Sequence, residues 1–333
     1  MDGEFKRDKV SNSQEFILTY NFSMQMFFSS DLFAQQRPSF LVNTLFLVVV
    51  MLLYPVVGGV LLSFVSGGSG AAFSLSTLEK SEFPSIRMIQ AVGQLLVLAL
   101  PVFLLAGWHT GKKKPFSSQS LAFLGIGKPV DLTMVALAVG GIFLLQPLLH
   151  TITAVQDNYL WPALGSAGAE VVRQRDVMEL FIRQLAQAGS VLEYVSVVVV
   201  FAITPALCEE LFFRGYIQQN YASSISSGYA VVLTGFIFAF FHLSAANLLP
   251  LALLGWYIGY IYSAAGNLAI PVVVHFANNM AALLLLFFTG GGDVEGVLES
   301  KVLLCSPWWW LVVAVSLLLF VMVLRWFSVV VRR

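Results

Sequence analysis

The sequence has little charge. Asp, Glu, Lys and Arg make up 11% of its 333 residues, whereas soluble domains average about 25%. Hydrophobic residues reach 58%, and the mean hydropathy is +0.83. This composition excludes an ordinary soluble domain and predicts a multi-pass integral membrane protein embedded in the lipid bilayer.

An excess of positive charge is also missing. Eighteen basic residues are balanced by eighteen acidic residues, and nucleic-acid recognition normally requires a basic surface. Nucleic acid is therefore not an expected partner.

Cysteine is scarce, and no internal repeat is visible. Cys208 and Cys305 lie far apart beside apolar stretches, which gives neither a disulfide framework nor a CxxC metal pair. The first long apolar run begins only at Phe40, so a short cleavable signal peptide is not expected. Inverted repeats are typical of secondary transporters, and their absence argues against that class.

Uncharged stretches long enough to cross a hydrocarbon core of about 30 Å recur along the chain. They predict an all-α protein with about eight transmembrane helices, of which the fifth is short. The predicted spans lie near residues 41–65, 88–108, 132–150, 191–207, 229–243, 248–265, 268–288 and 308–324.

Four segments follow from these spans. Residues 1–39 form a cytoplasmic or interfacial segment, and residues 40–190 form the amino-terminal helices and loops. Residues 191–290 carry the candidate chemistry, and residues 291–333 form the last span and the tail. Between residues 15 and 40 the chain is rich in aromatic residues and methionine, which fits a helix in the membrane interface and a disordered tail equally well.

The distribution of basic residues predicts the orientation, because cytoplasmic loops carry an excess of Lys and Arg. With a cytoplasmic amino terminus, twelve of the eighteen basic residues lie on the inner side. The other six are Lys80, Arg87, Arg173, Arg175, Arg183 and Lys301. We therefore expect both termini in the cytoplasm.

The stretch from Cys208 to Arg214 contains two adjacent glutamates and an arginine within a long apolar region. Each ionisable group at membrane depth costs about 2.5 to 3.5 kcal/mol on insertion scales, so such groups indicate function. On a helix, Glu210 and Arg214 lie one turn apart and can pair. Glu209 points about 100° away and is left free for chemistry.

Two histidines and an asparagine in the same third of the chain complete a candidate catalytic set. His242 ends one apolar stretch, and His275 and Asn279 share a helix face at positions i and i+4. A carboxylate that activates water, an imidazole that orients it, and an imidazole with an amide that hold an oxyanion suffice for acyl-bond hydrolysis. The alternative is a purely structural role, in which these polar groups form hydrogen bonds between helices. We favour this alternative for His109, His150 and Asn278.

Three motifs, in this order along the chain, resemble those of a known protein family. They are Glu209-Glu210-x-x-x-Arg214, Phe238-x-x-x-His242 and His275-x-x-x-Asn279. Residues 190–290 resemble the CAAX-protease and bacteriocin-processing (CPBP, or Abi) family of intramembrane proteases, which includes the Ras-converting CAAX endopeptidases. The resemblance implies an eight-span helical enzyme whose active site lies in a membrane-embedded cavity open to the cytoplasm. It also implies cleavage near the carboxyl terminus of a membrane-associated protein or peptide, for which a CAAX-type prenylated chain is one candidate; whether the substrate is prenylated stays open at the level of the sequence.

The resemblance also implies a role for each motif residue. Glu209 is the base that activates water, and His242 assists it. His275 and Asn279 stabilise the oxyanion. The pair of Glu210 with Arg214 matches the family's supporting pair.

Two alternatives stay open at the level of the sequence. Catalytic zinc takes three protein ligands and a water, and Glu209, His242 and His275 are the candidate ligands, although the chain has no HExxH motif. We lean slightly toward no tightly bound metal. The alternative function is a non-enzymatic membrane protein, an immunity or scaffold factor or a transporter, that uses the same buried polar cluster.

Overall fold

The structure is a computed structural model that describes residues 37–65, 80–111, 114–288 and 300–332. The predicted cytoplasmic or interfacial segment lies almost entirely outside these residues. The described chain is helical, with no strand among its residues. The all-α, polytopic membrane fold predicted from the sequence is confirmed.

Eleven helices are described, and three of them combine α-helical turns with π-helical turns. Their bounds are α1 Phe40–Val65, α2 Lys80–His109, α3 Ser118–Phe123, α4 Leu132–Ala163, α5 Ser166–Leu185, α6 Val191–Ser224, α7 Ser227–Phe241, α8 Leu248–Ala265, α9 Ala269–Phe288, α10 Ser300–Cys305 and α11 Pro307–Val331. Seven of these helices are long and apolar enough to cross a membrane. The predicted fifth span corresponds to α7, an apolar helix of 15 residues.

Local sequence signals set several helix ends. The Asp131 carboxylate accepts a hydrogen bond from the Thr133 amide at 2.7 Å and caps α4. The Ser190 hydroxyl caps α6 in the same way. Both side chains satisfy amide groups that have no partner within the first helical turn. At the end of α8, Gly266 adopts a left-handed conformation (φ 59°) that favours glycine.

The fourth predicted span was too short. The prediction ended it at residue 207 because two glutamates and an arginine follow, but α6 continues to Ser224. The helix can continue because Glu210 and Arg214 pair with each other inside the protein. A π-helical segment from Leu211 to Gln218 directly follows Glu210, and such segments are frequent at functional sites.

Glycine allows α7 and α8 to pack closely. A Cβ atom on Gly235 would lie 2.1 Å from the Trp256 side chain, and one on Gly255 would lie 2.9 Å from the Gly235 Cα. The Trp256 indole also donates to the Val232 carbonyl at 2.9 Å. Small residues at helix contacts let membrane helices approach in this way. This contact fixes the carboxyl end of α7, where His242 follows.

The ends of the helices define two faces of the protein. One face, which we call the terminal face, contains the start of α1 and the end of α11. There Arg37 donates to Asn220 at 3.0 Å, and the Leu268 amide donates to the Gly125 carbonyl at 2.9 Å. Because α5 connects the end of α4 to the start of α6, it lies on the opposite face.

Candidate active site

The two adjacent glutamates of α6 have different surroundings. Glu210 is fully buried (0% exposed), and Glu209 is almost as buried at 6%. Because neighbouring residues of a helix point about 100° apart, the two carboxylates face different helices. Glu210 faces α8 and α9, whereas Glu209 faces the end of α7.

The Glu210 carboxylate belongs to a buried polar network. Its Oε1 accepts a hydrogen bond from Arg214 Nη1 at 2.7 Å and lies 2.8 Å from His275 Nδ1. Arg214 also donates to the Gly255 carbonyl at 3.1 Å, and its guanidinium lies 4.6 Å from the centroid of the Phe238 ring. The predicted pairing of Glu210 with Arg214 is confirmed.

Sequence reasoning missed the contact between His275 and Glu210. The two residues are 65 positions apart, and no local spacing rule connects them. The contact depends on how α9 packs against α6. It makes His275 part of the same network as Arg214, whereas the sequence had grouped it with Asn279 as an oxyanion donor and with Glu209 and His242 as a candidate zinc ligand.

Glu209 instead faces His242. Glu209 Oε2 lies 3.9 Å from His242 Nε2 and has no hydrogen-bond partner among the described residues. The distance is longer than a hydrogen bond of about 2.7 to 3.2 Å. These two side chains therefore approach each other without a direct bond.

A backbone contact fixes the orientation of the His242 ring. His242 Nδ1 lies 2.7 Å from the Phe238 carbonyl oxygen. A carbonyl only accepts hydrogen bonds, so Nδ1 carries a proton. In the neutral ring, Nε2 is then an acceptor directed toward Glu209. The next residue, Leu243, is 82% exposed and adopts the left-handed region (φ 51°), a strained conformation of the kind that clusters at active sites.

Asn279 lies one turn after His275 on α9 and is half-buried. Its Oδ1 accepts a hydrogen bond of 3.4 Å from Asn278 Nδ2, and Asn278 Oδ1 accepts one of 3.0 Å from Gln146 Nε2 on α4. Asn278 therefore joins two helices, as the sequence analysis favoured. Gln146 gave no signal in the sequence, because it belongs to none of the three motifs.

A cavity of 390 Å³ lies beside His242. Its walls come from the second half of α4, from α5, from the loop after α7, from the start of α8 and from α9. The lining residues include Gln146, His150, Arg175, Met178, Glu179, Ile182, His242, Leu251, Leu254 and Asn278. None of the three sequence motifs indicated that α5 contributes to this site.

The cavity lies in the half of the helix bundle away from the terminal face. Two charged residues of its lining, Arg175 and Glu179, belong to α5 on the opposite face. Two expectations from the sequence therefore exclude each other in this chain. The termini can be cytoplasmic, or the cavity can open to the cytoplasm, but not both.

The other two histidines lie apart from the carboxylates. His109 Nε2 lies 2.9 Å from the Tyr216 hydroxyl, and both residues are buried near the terminal face. This contact joins α2 to α6, as the sequence analysis favoured for His109. His150 lines the same cavity as His242.

The described residues do not support the candidate zinc site. Among them, no three His, Cys, Asp or Glu side chains are grouped so that they could hold a metal ion. Glu209 and His242 face each other, but the third candidate, His275, directs its Nδ1 to Glu210. The proposed ligand set is thus divided between two carboxylates.

Residues 191–281 match the family described as type II CAAX prenyl endopeptidase Rce1-like. This match agrees with the resemblance to the CAAX-protease and bacteriocin-processing family that the three motifs carry. The match covers all three motifs and supports protease activity in a multi-pass integral membrane protein. Searches of the curated proteins and of the solved structures give no significant match.

Proposed function

We propose that this protein is an intramembrane endopeptidase that hydrolyses a peptide bond with a water molecule held between Glu209 and His242. The observation that carries the proposal is the 3.9 Å gap between Glu209 Oε2 and His242 Nε2, together with the bond that directs His242 Nδ1 to the Phe238 carbonyl. Both facing atoms are acceptors when the glutamate is ionised and the imidazole is neutral. Two acceptors at this distance need a donor between them.

Water fits this gap as a donor to both sides. If a water oxygen lies about 2.8 Å from each of the two atoms, a usual hydrogen-bond length, the angle between the two hydrogen bonds at that oxygen is about 90°. That angle is close to the angle between the two O–H bonds of water. One hydrogen then points to Glu209 and the other to His242, and the oxygen lone pairs are free to attack a carbonyl carbon.

The reaction follows from this arrangement. The water oxygen attacks the scissile carbonyl carbon while Glu209 takes a proton, and a tetrahedral oxyanion forms. The C–N bond then breaks as Glu209 returns the proton to the leaving amine. The products are a new carboxyl terminus and a free amine. His242 orients the water by accepting its second hydrogen.

His275 and Asn279 are the proposed oxyanion donors, in keeping with the family resemblance. His275 Nδ1 is occupied by Glu210, so its Nε2 donates when the ring carries both protons. Glu210 and Arg214 support this role by holding the ring in place from the buried side. Asn279 contributes its side-chain amide. Preorganised donors of this kind typically contribute 10² to 10³-fold in rate, as a rough range.

The proposed substrate is a membrane-associated protein or peptide cleavable near its carboxyl terminus. The family's description points to a CAAX-type prenylated chain end. The cavity wall provides apolar contacts from Met178, Ile182, Leu251 and Leu254, which suit an apolar chain end. We retain residues 191–290 as the catalytic core and the preceding helices as the wall that encloses it.

The test compares the carboxyl termini of membrane proteins by mass spectrometry in cells that carry the wild-type chain or Glu209→Ala. Glu170→Ala is the matched control, because it removes an exposed carboxylate of α5 that does not line the cavity. We expect one or more chain ends that appear with the wild type and Glu170→Ala and disappear with Glu209→Ala. Identical termini in all three strains would contradict the proposal and favour a non-enzymatic scaffold or immunity protein.

A further inference from the structure

Three side-chain amides form a row from α4 to α9. Gln146 Nε2 donates to Asn278 Oδ1 at 3.0 Å, and Asn278 Nδ2 donates to Asn279 Oδ1 at 3.4 Å. Gln146 and Asn278 line the cavity that also contains His242. The row therefore links a helix outside the three motifs to one of the proposed oxyanion donors.

The direction of the row is set at its first member. Gln146 Nε2 also contacts the Ile142 carbonyl of its own helix at 3.3 Å. A carbonyl accepts and never donates, so this end of the Gln146 amide is its NH₂ group. Asn278 must then present its oxygen to Gln146 and its NH₂ group to Asn279. The oxygen of Asn279 is thereby engaged, and its NH₂ group is the end turned away from Asn278.

We propose that Gln146 is a positioning residue for the hydrolysis: acting through Asn278, it keeps Asn279 oriented with its NH₂ group toward the oxyanion. The inference rests on the proposed function, because it gives a purpose to the orientation of Asn279. Gln146 lies outside residues 191–281, so the family match assigns it nothing.

The physical reason is that an amide side chain has nearly the same shape after a rotation of 180°. Its oxygen and nitrogen are similar in size, so only hydrogen bonds decide which of them points into a site. An Asn279 turned by 180° would present an acceptor to the negatively charged intermediate. The bond from Gln146 fixes the NH₂ group of Asn278 toward Asn279, so a turned Asn279 would place two NH₂ groups against each other.

The test measures cleavage by purified full-length protein in detergent. Gln146→Leu removes the donor, and Gln146→Glu keeps a polar side chain that, when ionised, only accepts. We expect kcat to fall about tenfold in both variants, the loss of one hydrogen bond, with unchanged KM. Gln119→Leu on α3 is the control, because it makes the same substitution at an exposed residue that does not line the cavity.

A double-variant comparison separates positioning from packing. In an Asn279→Ala background, Gln146→Leu should cause no further loss of kcat, because the residue through which it acts is gone. An equal loss in both backgrounds, or a wild-type kcat for Gln146→Leu, would overturn the inference. The proposed function would be contradicted by different results: a wild-type protein that cleaves no substrate, or a Glu209→Gln variant that cleaves at the normal rate. Either result would also overturn the inference about Gln146.

Discussion

Glu209 and Glu210 are neighbours in the chain, yet the protein uses them in opposite ways. Glu210 binds Arg214 and His275 through its Oε1 and has no exposed surface. Both glutamates have an Oε2 without a hydrogen-bond partner among the described residues, but the Oε2 of Glu209 lies 3.9 Å from Nε2 of His242, which lines the cavity. One carboxylate is fixed by its partners, and the other is kept available. A single helical step of about 100° is enough to separate these two environments.

The difference predicts that stability and activity depend on different glutamates. Removing one partner of a buried ion pair leaves an uncompensated charge, which costs about 3 to 5 kcal/mol. Removing a group that transfers a proton leaves the packing in place and slows the chemical step. The predictions below test this division.

The largest expected effect is on folding, from Arg214→Leu. This change leaves the Glu210 carboxylate buried and paired with His275 alone, so we expect a loss of about 3 to 5 kcal/mol in stability. Thermal unfolding of the purified protein in detergent measures it, with Glu209→Gln as the control that should melt close to the wild type. Equal melting of Arg214→Leu and wild type would show that the Glu210 network is not structural.

A large effect on rate is expected from His242→Leu. This change leaves Glu209 in place but removes the acceptor that orients the water, so we expect cleavage to slow about 10²-fold, at the low end for such groups. Cleavage kinetics at matched folding measure this. Gln119→Leu, at an exposed residue that does not line the cavity, should retain the wild-type rate, and an equal loss in both variants would remove the special role of His242.

A moderate effect is expected from Gly235→Val, which acts on the support of His242. The added side chain would collide with Trp256, and overpacking of this kind typically costs about 1 to 3 kcal/mol. Gly140→Val on α4 is the control, because no atom lies within 4 Å of the position that its Cβ would take. Both melting temperature and cleavage should fall for Gly235→Val only.

A cysteine-labelling experiment, which involves no change in activity, can show which side of the membrane the cavity faces. Cys305 is exposed and Cys208 is buried. Cys305 lies between α9 and α11, on the same face as α5, whose residues line the cavity. If the termini are cytoplasmic, as the basic residues predict, a membrane-impermeant maleimide added to intact cells should label Cys305.

The control for this experiment uses the other face. In a Cys305→Ser background, Gln119→Cys on α3 should be labelled only after the membrane is opened. The reverse pattern would show that the cavity faces the cytoplasm and that both termini lie outside it.

The sequence predicted those features of the fold and site that depend on local spacing. Apolar runs predicted the helices, and one helical turn predicted the pair of Glu210 with Arg214. It could not predict the contact between His275 and Glu210 or the wall formed by α5, because both depend on how distant helices pack. It also ended α6 too early, because charge in a membrane helix looks like a boundary unless its buried partners are known.

The central claim is that Glu209, and not Glu210, is the base. Cleavage of a peptide substrate by purified Glu209→Gln tests it most directly, because glutamine keeps the shape of the side chain and cannot take the proton. We predict a rate about 10² to 10⁴-fold below the wild type, at an unchanged melting temperature. A wild-type rate from Glu209→Gln would contradict the account and transfer the role of base to Glu210.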